Sequence, residues 1–183
     1  MTGLASRRQL RASLMRWALF TVPLVLLLGF LSGRAGSSAD SPWFQALAKP
    51  DIFPPPMWFG IVWTILYVMM GLALAIVCAA WGARGRTAAI VAFALQLAVN
   101  LAWSPVFFGL HRIREGLIVI GVLDVLVLIT IVLFWRVRRS AALLLLPYLA
   151  WIAFATLLNY EFLRLNPDGG QDGRSGAAQR FEI

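Results

Sequence analysis

Residues 88–110 read AAIVAFALQLAVNLAWSPVFFGL, a run of uncharged and mostly apolar residues. As a helix it is long enough to cross a hydrocarbon core of about 30 Å. It also carries Gln96, Asn100, Trp103, Ser104 and Pro105. In lipid such polar groups are costly unless they meet partners. Gln96, Asn100 and Ser104 recur every four residues with Trp103 beside them, so they share one face, which must point into a bundle. Ala94, Ala98 and Ala102 form a second stripe about 200° round the helix. That stripe is smooth enough for another helix to approach closely, from this chain or from a second copy. Pro105 lacks the N–H that would bond the carbonyl of residue 101, so that carbonyl needs a different partner. Asn100 reads two ways, as glue between helices or as a ligand contact.

Working outward, four more apolar runs of spanning length appear, which places the runs at about 17–33, 57–81, 88–110, 117–135 and 140–164. Hydrophobic residues make up 61% of the 183-residue chain. With a mean hydropathy of +0.81, the composition is that of a membrane protein. The later loops, GARGRT, HRIREG and RVRR, are short, so consecutive helices pack as antiparallel neighbours. These features predict an all-α integral membrane protein, a five-transmembrane-helix bundle over residues 17–165. A basic arm at 1–16 precedes it, and a Gly-rich polar tail at 166–183, read as disordered, follows it. The first run also fits a secretory signal peptide ending near Ser37-Ser38-Ala39-Asp40.

The net charge of +8 comes from arginines at helix ends, where they flank spans and orient them, so nucleic acid is not the expected partner. Nine basic residues fall on the N-terminal side (Arg7, Arg8, Arg11, Arg16, Arg84, Arg86, Arg136, Arg138, Arg139) and seven on the other. An N-inside, C-outside topology follows. Cys78 has no second cysteine to pair with, and His111 has no Cys or His near it, so no metal site is expected.

The first loop, 34–56, is far longer than a connection needs. Ser41-Pro42 starts a short helix carrying Trp43, Phe44 and Leu47, and Lys49-Pro50 stops it. Two readings stand: an aromatic flap folded over the mouth of the bundle, or a helix lying on lipid headgroups. In the fifth run, Pro147, Trp151, Ala155 and Asn159 lie four apart with Leu158 adjacent. A small residue between an indole and an amide leaves a recess for a flat aromatic guest. In the second run Trp63 and Tyr67 stack, with Gly60 and Gly71 extending their stripe. Asp124 is the one acid deep in the membrane, with pairing, protonation and a proton-carrying role as its readings.

These residues in this order resemble the translocator protein family, also called the tryptophan-rich sensory protein or TspO/MBR family. The resemblance covers residues 17–166 and rests on a combination of motifs. In the first half these are Trp43 with Leu47, Lys49-Pro50, Pro54-Pro55 and Trp63 with Leu66-Tyr67. In the second half they are Asn100 with Trp103, Pro105 and Phe107-Phe108-Gly109, then Pro147-Tyr148 with Trp151 and Asn159. It implies five retained transmembrane helices, a first loop covering a pocket, and homodimers in the lipid bilayer of a bacterial cell envelope. It implies porphyrins such as protoporphyrin IX, with haem a further candidate, as ligands rather than required cofactors. Sterols and isoquinoline or benzodiazepine compounds are further implied ligands.

Carried over position by position, Trp63, Asn100, Trp103, Trp151 and Ala155 match the pocket. Tyr67, Leu158 and Asn159 join them on the shared faces, and Trp43, Leu47, Lys49 and Pro50 belong to the covering loop. Leu157, Tyr160 and Arg164 match a sterol pattern and project away from the Trp151–Asn159 face. The chain departs from the family at Met57 and Leu101, where tryptophan is usual. The expected function is porphyrin binding for transport, sequestration or sensing. Its rivals are light-dependent oxidative porphyrin breakdown, with Trp151 as the residue to carry it, and sterol carriage. No hydrolytic triad or phosphate loop is present, and no catalytic residue is assigned on the binding reading.

Overall fold

The computed structural model describes residues 7–35 and 41–169. Residues 1–6, residues 36–40 with the Ser37–Asp40 segment, and the tail from residue 170 lie outside the described residues. The order is α1 (Arg7–Ala35), α2 (Pro42–Ala46), α3 (Pro56–Cys78), α4 (Arg86–Ser104), a π-helical turn (Pro105–Gly109), α5 (Ile113–Val137), α6 (Arg139–Leu143) and α7 (Leu146–Leu165). No strand occurs among the described residues. The protein is all-α, and five of its helical segments are long and apolar enough to cross a membrane.

Several boundaries differ from expectation, each for a local reason. The first span begins at Arg7, so the basic residues expected in a separate arm continue α1 as a helix. Nothing in RRQLRASLMR breaks a helix, and arginine and leucine favour one. The fifth span is interrupted between Leu143 and Leu146. Pro147 has no N–H for the carbonyl of Leu143, so the chain turns there and restarts with proline in the first turn of α7. The third span ends in the π-helical turn at Pro105, where Leu110 N–H bonds the Pro105 carbonyl at 2.9 Å. The carbonyl of Leu101, stripped of its helical donor by Pro105, accepts the Ser32 hydroxyl of α1 at 2.6 Å.

The closest helix pair is α1 with α3. A Cβ on Gly71 would stand 2.6 Å from the Val22 Cα, so only glycine allows these backbones to meet. Thr21 Oγ1 donates to the Gly71 carbonyl at 2.7 Å across the same contact. Gly71, Ala75 and Ala79 recur every four residues along α3 and its C-cap, and Gly71 and Ala75 are both buried, so these small residues are not a free surface for a second copy. Gly71 and Tyr67 both pack on α1, at Val22 and Gly29, so they share the face that their spacing suggested. Ala94, Ala98 and Ala102 of α4, by contrast, are all exposed. The interior is filled by Met70, Phe93, Leu123, Val127, Phe134 and Tyr148, with Phe93 stacked on Phe134 at 5.9 Å. At the arginine-rich end, Arg86 donates to the Cys78 carbonyl at 2.8 Å, closing the end of α3, and lies over the Trp81 ring. A cluster of aromatic residues, including Phe44, Phe107 and Phe162, gathers at the opposite end of the bundle.

Candidate functional site

At that end a cavity of about 410 Å³ lies between the helices. Trp63 and Tyr67 of α3 stack at 5.2 Å along one wall. Asn100, Trp103 and Ser104 of α4 form the next, and Trp151, Ala155, Leu158 and Asn159 of α7 the third. Gly29, Ser32 and Gly33 of α1 complete it. All eight residues expected to contact ligand thus line one cavity. No charged side chain lines it among the described residues.

Buried amides hold the walls in place. Tyr67 Oη donates to Asn100 Oδ1 at 3.1 Å, and Asn100 Nδ2 donates to Tyr148 Oη at 3.0 Å. Tyr148 then donates to Gln96 Oε1 at 3.0 Å. This line of bonds ties α3, α4 and α7 together behind the cavity. A second amide does the same nearer the mouth. Asn159 accepts from Trp103 Nε1 at 3.2 Å and donates to the Ile113 carbonyl at 2.9 Å, fixing that indole between α5 and α7. The Trp151 N–H is different, because it is buried without a partner among the described residues. Asp124 lies outside the wall; its Oδ2 accepts from Thr156 Oγ1 at 2.8 Å and its Oδ1 has no partner.

The roof is the segment after Ser41. The Ser41 hydroxyl accepts from Phe44 N–H, capping α2, and Pro42 begins it. Phe44 and Leu47 are buried against the bundle rather than laid out toward headgroups. Phe44 meets Phe53, Phe107, Phe108 and Phe162 with ring centroids 5.2–6.4 Å apart. Trp43 stacks on His111 at 4.4 Å, outside the cavity wall. Pro50 is buried, while Lys49 is exposed, with its ammonium 5.5 Å from the Phe44 ring centre.

The structure adds residues that spacing did not single out. Besides Phe44 of the expected flap, Phe53, Phe59, Phe107, Phe108 and Phe162 line the cavity, yet as residue types they match any apolar core. The π-helical turn, set by Pro105, is what brings the adjacent Phe107 and Phe108 rings together at 4.8 Å. Asn166, assigned by composition to the tail, is buried and bonds the backbone of Ala48. The sequence Asn166-Pro167-Asp168-Gly169 is a turn signal that locates it. Met57 points away from the bundle and is exposed, so its departure from tryptophan does not alter the wall. Leu157, Tyr160 and Arg164 are exposed on the outer face of α7, with Arg164 paired to Glu161 at 2.7 Å. No group of three His, Cys, Asp or Glu comes together among the described residues.

The sequence profile of the TspO/MBR family matches residues 21–165. Tryptophan-rich protein TspO of Chlorobaculum tepidum is 40% identical over 147 residues, covering 80% of this chain and 93% of that protein. The tryptophan-rich sensory protein of Cereibacter sphaeroides is 36% identical over 152 residues, covering 83% and 94%. The translocator protein of Homo sapiens is 37% identical over 150 residues, covering 79% and 86%.

Proposed function

The chain belongs to the TspO/MBR family, and we propose that it binds porphyrins of the protoporphyrin IX class, in their transport, sequestration or sensing. It is a multi-pass integral membrane protein. The observation that carries the proposal is a wall of three indoles, Trp63, Trp103 and Trp151, around an uncharged cavity. A flat conjugated macrocycle gains most from such a wall, through stacking and edge contacts along its whole face. Its propionates belong at the mouth. There Lys49 stands over Phe44, and Arg34 follows the wall residues Ser32 and Gly33 on α1. The wall holds no histidine, cysteine or methionine among the described residues, and the phenol of its tyrosine, Tyr67, is bonded to Asn100, which favours metal-free porphyrin over haem. The porphyrin is cargo, and no resident cofactor is proposed.

One observation favours a second reading, oxidative porphyrin breakdown. Trp151 lines the cavity while its N–H is buried without a partner among the described residues, so the ring, not the N–H, is the part that meets a bound substrate. A sterol would meet the Leu157, Tyr160 and Arg164 face instead, a separate site on the lipid side of α7. We also propose that two copies meet along the exposed Ala94, Ala98 and Ala102 stripe, in a bacterial envelope with the N-terminus inside. The test is titration of protoporphyrin IX into purified protein, followed by tryptophan quenching in darkness and in light. Saturable quenching with unchanged pigment is the expected result. Absence of saturable quenching overturns the binding function. Pigment loss that requires Trp151 moves the assignment to the enzyme.

A further inference from the structure

The roof of the cavity is held by two kinds of contact. Most are apolar: Phe44, Leu47 and Phe53 rest on other aromatic residues. Such contacts favour burial without selecting one position. Three directional contacts reach a single four-residue turn beyond α7. Asn166 Oδ1 accepts Ala48 N–H at 2.9 Å, and Asn166 Nδ2 donates to the Ala48 carbonyl at 3.0 Å. The same Nδ2 donates to the Phe162 carbonyl at 2.9 Å, so the clasp is anchored on a wall residue. Three residues on, the Gly169 carbonyl accepts Trp43 Nε1 at 3.0 Å. The turn is shaped for this: Gly169 N–H bonds the Asn166 carbonyl at 3.0 Å, and Gly169 takes φ +67, where a Cβ is disfavoured.

A side-chain amide that both donates to and accepts from one backbone residue imitates a strand pairing, and it holds in one register only. Ala48 lies one residue beyond Leu47 and four beyond Phe44, the roof residue of the cavity. Releasing Ala48 therefore frees the segment that carries Phe44. We propose that Asn166 latches this roof and thereby sets how fast ligand enters and leaves the cavity, with the Trp43–Gly169 bond as its second catch. The latch stands on the hydrogen bonds themselves, and the identity of the ligand rests on the porphyrin function proposed above.

Two readouts separate these parts. A cysteine in the roof, Leu47→Cys in a Cys78→Ser background, reports opening by its rate of labelling with a water-soluble maleimide. Adding Asn166→Ala is expected to speed labelling about tenfold, equivalent to ~1.4 kcal/mol of latch strength. Dissociation of protoporphyrin IX, measured by displacement in the same protein, is expected to speed by a similar factor. Trp43→Phe keeps an aromatic ring beside His111 and removes the donated bond together with part of the indole's packing on Phe44 and Phe107. It should speed both by roughly threefold, and it carries the test if Asn166→Ala fails to fold. Unchanged labelling in the folded variants overturns the latch. Faster labelling with unchanged dissociation overturns its control of exchange. If the wild type binds no porphyrin, the binding function falls, and the labelling rates still decide whether Asn166 holds the roof.

Discussion

The Tyr67 phenol donates to the Asn100 carboxamide at 3.1 Å, so the amide in the middle of α4 is both a wall residue and a structural tie. Of the two readings open at the level of sequence, the glue between helices is present, and the same amide lines the cavity where a ligand contact would be made. The oxygen of Asn100 holds α3 through Tyr67, and its nitrogen holds α7 through Tyr148. Because Tyr67 is itself stacked under Trp63, the amide fixes the orientation of the wall that a ligand would meet.

Asn100→Leu removes both bonds, leaving the Tyr67 phenol without its acceptor and Tyr148 held by Gln96 alone inside the membrane. Interhelical hydrogen bonds there average about 0.6 kcal/mol and reach ~1.7 at most. A loss of about 1–3 kcal/mol follows, seen as a lower thermal midpoint in detergent. Porphyrin affinity falls with it, because Tyr67 is released to turn. A variant as stable as wild type would show that the Tyr67–Asn100–Tyr148 line contributes nothing.

The parts of this architecture legible in the sequence are those that depend on spacing within one helix. Gln96, Asn100 and Ser104 repeat every four residues, and hydrocarbon permits such a face only one direction, so its burial could be read directly. Trp151, Ala155 and Asn159 were legible for the same reason. The roof clasp was not, because it joins Asn166 to Ala48 across 118 residues and involves backbone groups that every residue carries. Nor were the phenylalanines: a Phe facing the cavity and a Phe facing lipid satisfy the same solvent. The inward turn of Gly71 depended on which helix α1 chose as neighbour, information that no single span contains.

The Ser32 hydroxyl and Pro105 form a coupled pair although they are far apart in sequence. Pro105 deprives the Leu101 carbonyl of its helical donor, and Ser32 supplies a replacement at 2.6 Å. Ser32→Ala alone should therefore destabilise the bundle by about 1–2 kcal/mol. In a Pro105→Ala background the peptide N–H returns, and the same change should cost much less. A double-mutant cycle on thermal unfolding measures the coupling. Equal costs in both backgrounds would mean that the Leu101 carbonyl does not need Ser32.

Ala155 lies one helical turn from both Trp151 and Asn159, and it is buried while lining the cavity. A phenylalanine there has nowhere to go except into the space between Trp151 and the opposite indoles. Ala155→Phe is therefore expected to weaken protoporphyrin IX binding roughly a hundredfold, whereas Ala155→Gly, which only enlarges the recess, should bind nearly as wild type does. Tyr160→Phe on the exposed face serves as the control and should leave porphyrin affinity unchanged. Helical content and thermal midpoint separate a filled cavity from a misfolded bundle, since a chain that packs the introduced ring inward keeps its fold. Wild-type affinity in a folded Ala155→Phe protein would mean that porphyrin binds somewhere other than between these three indoles.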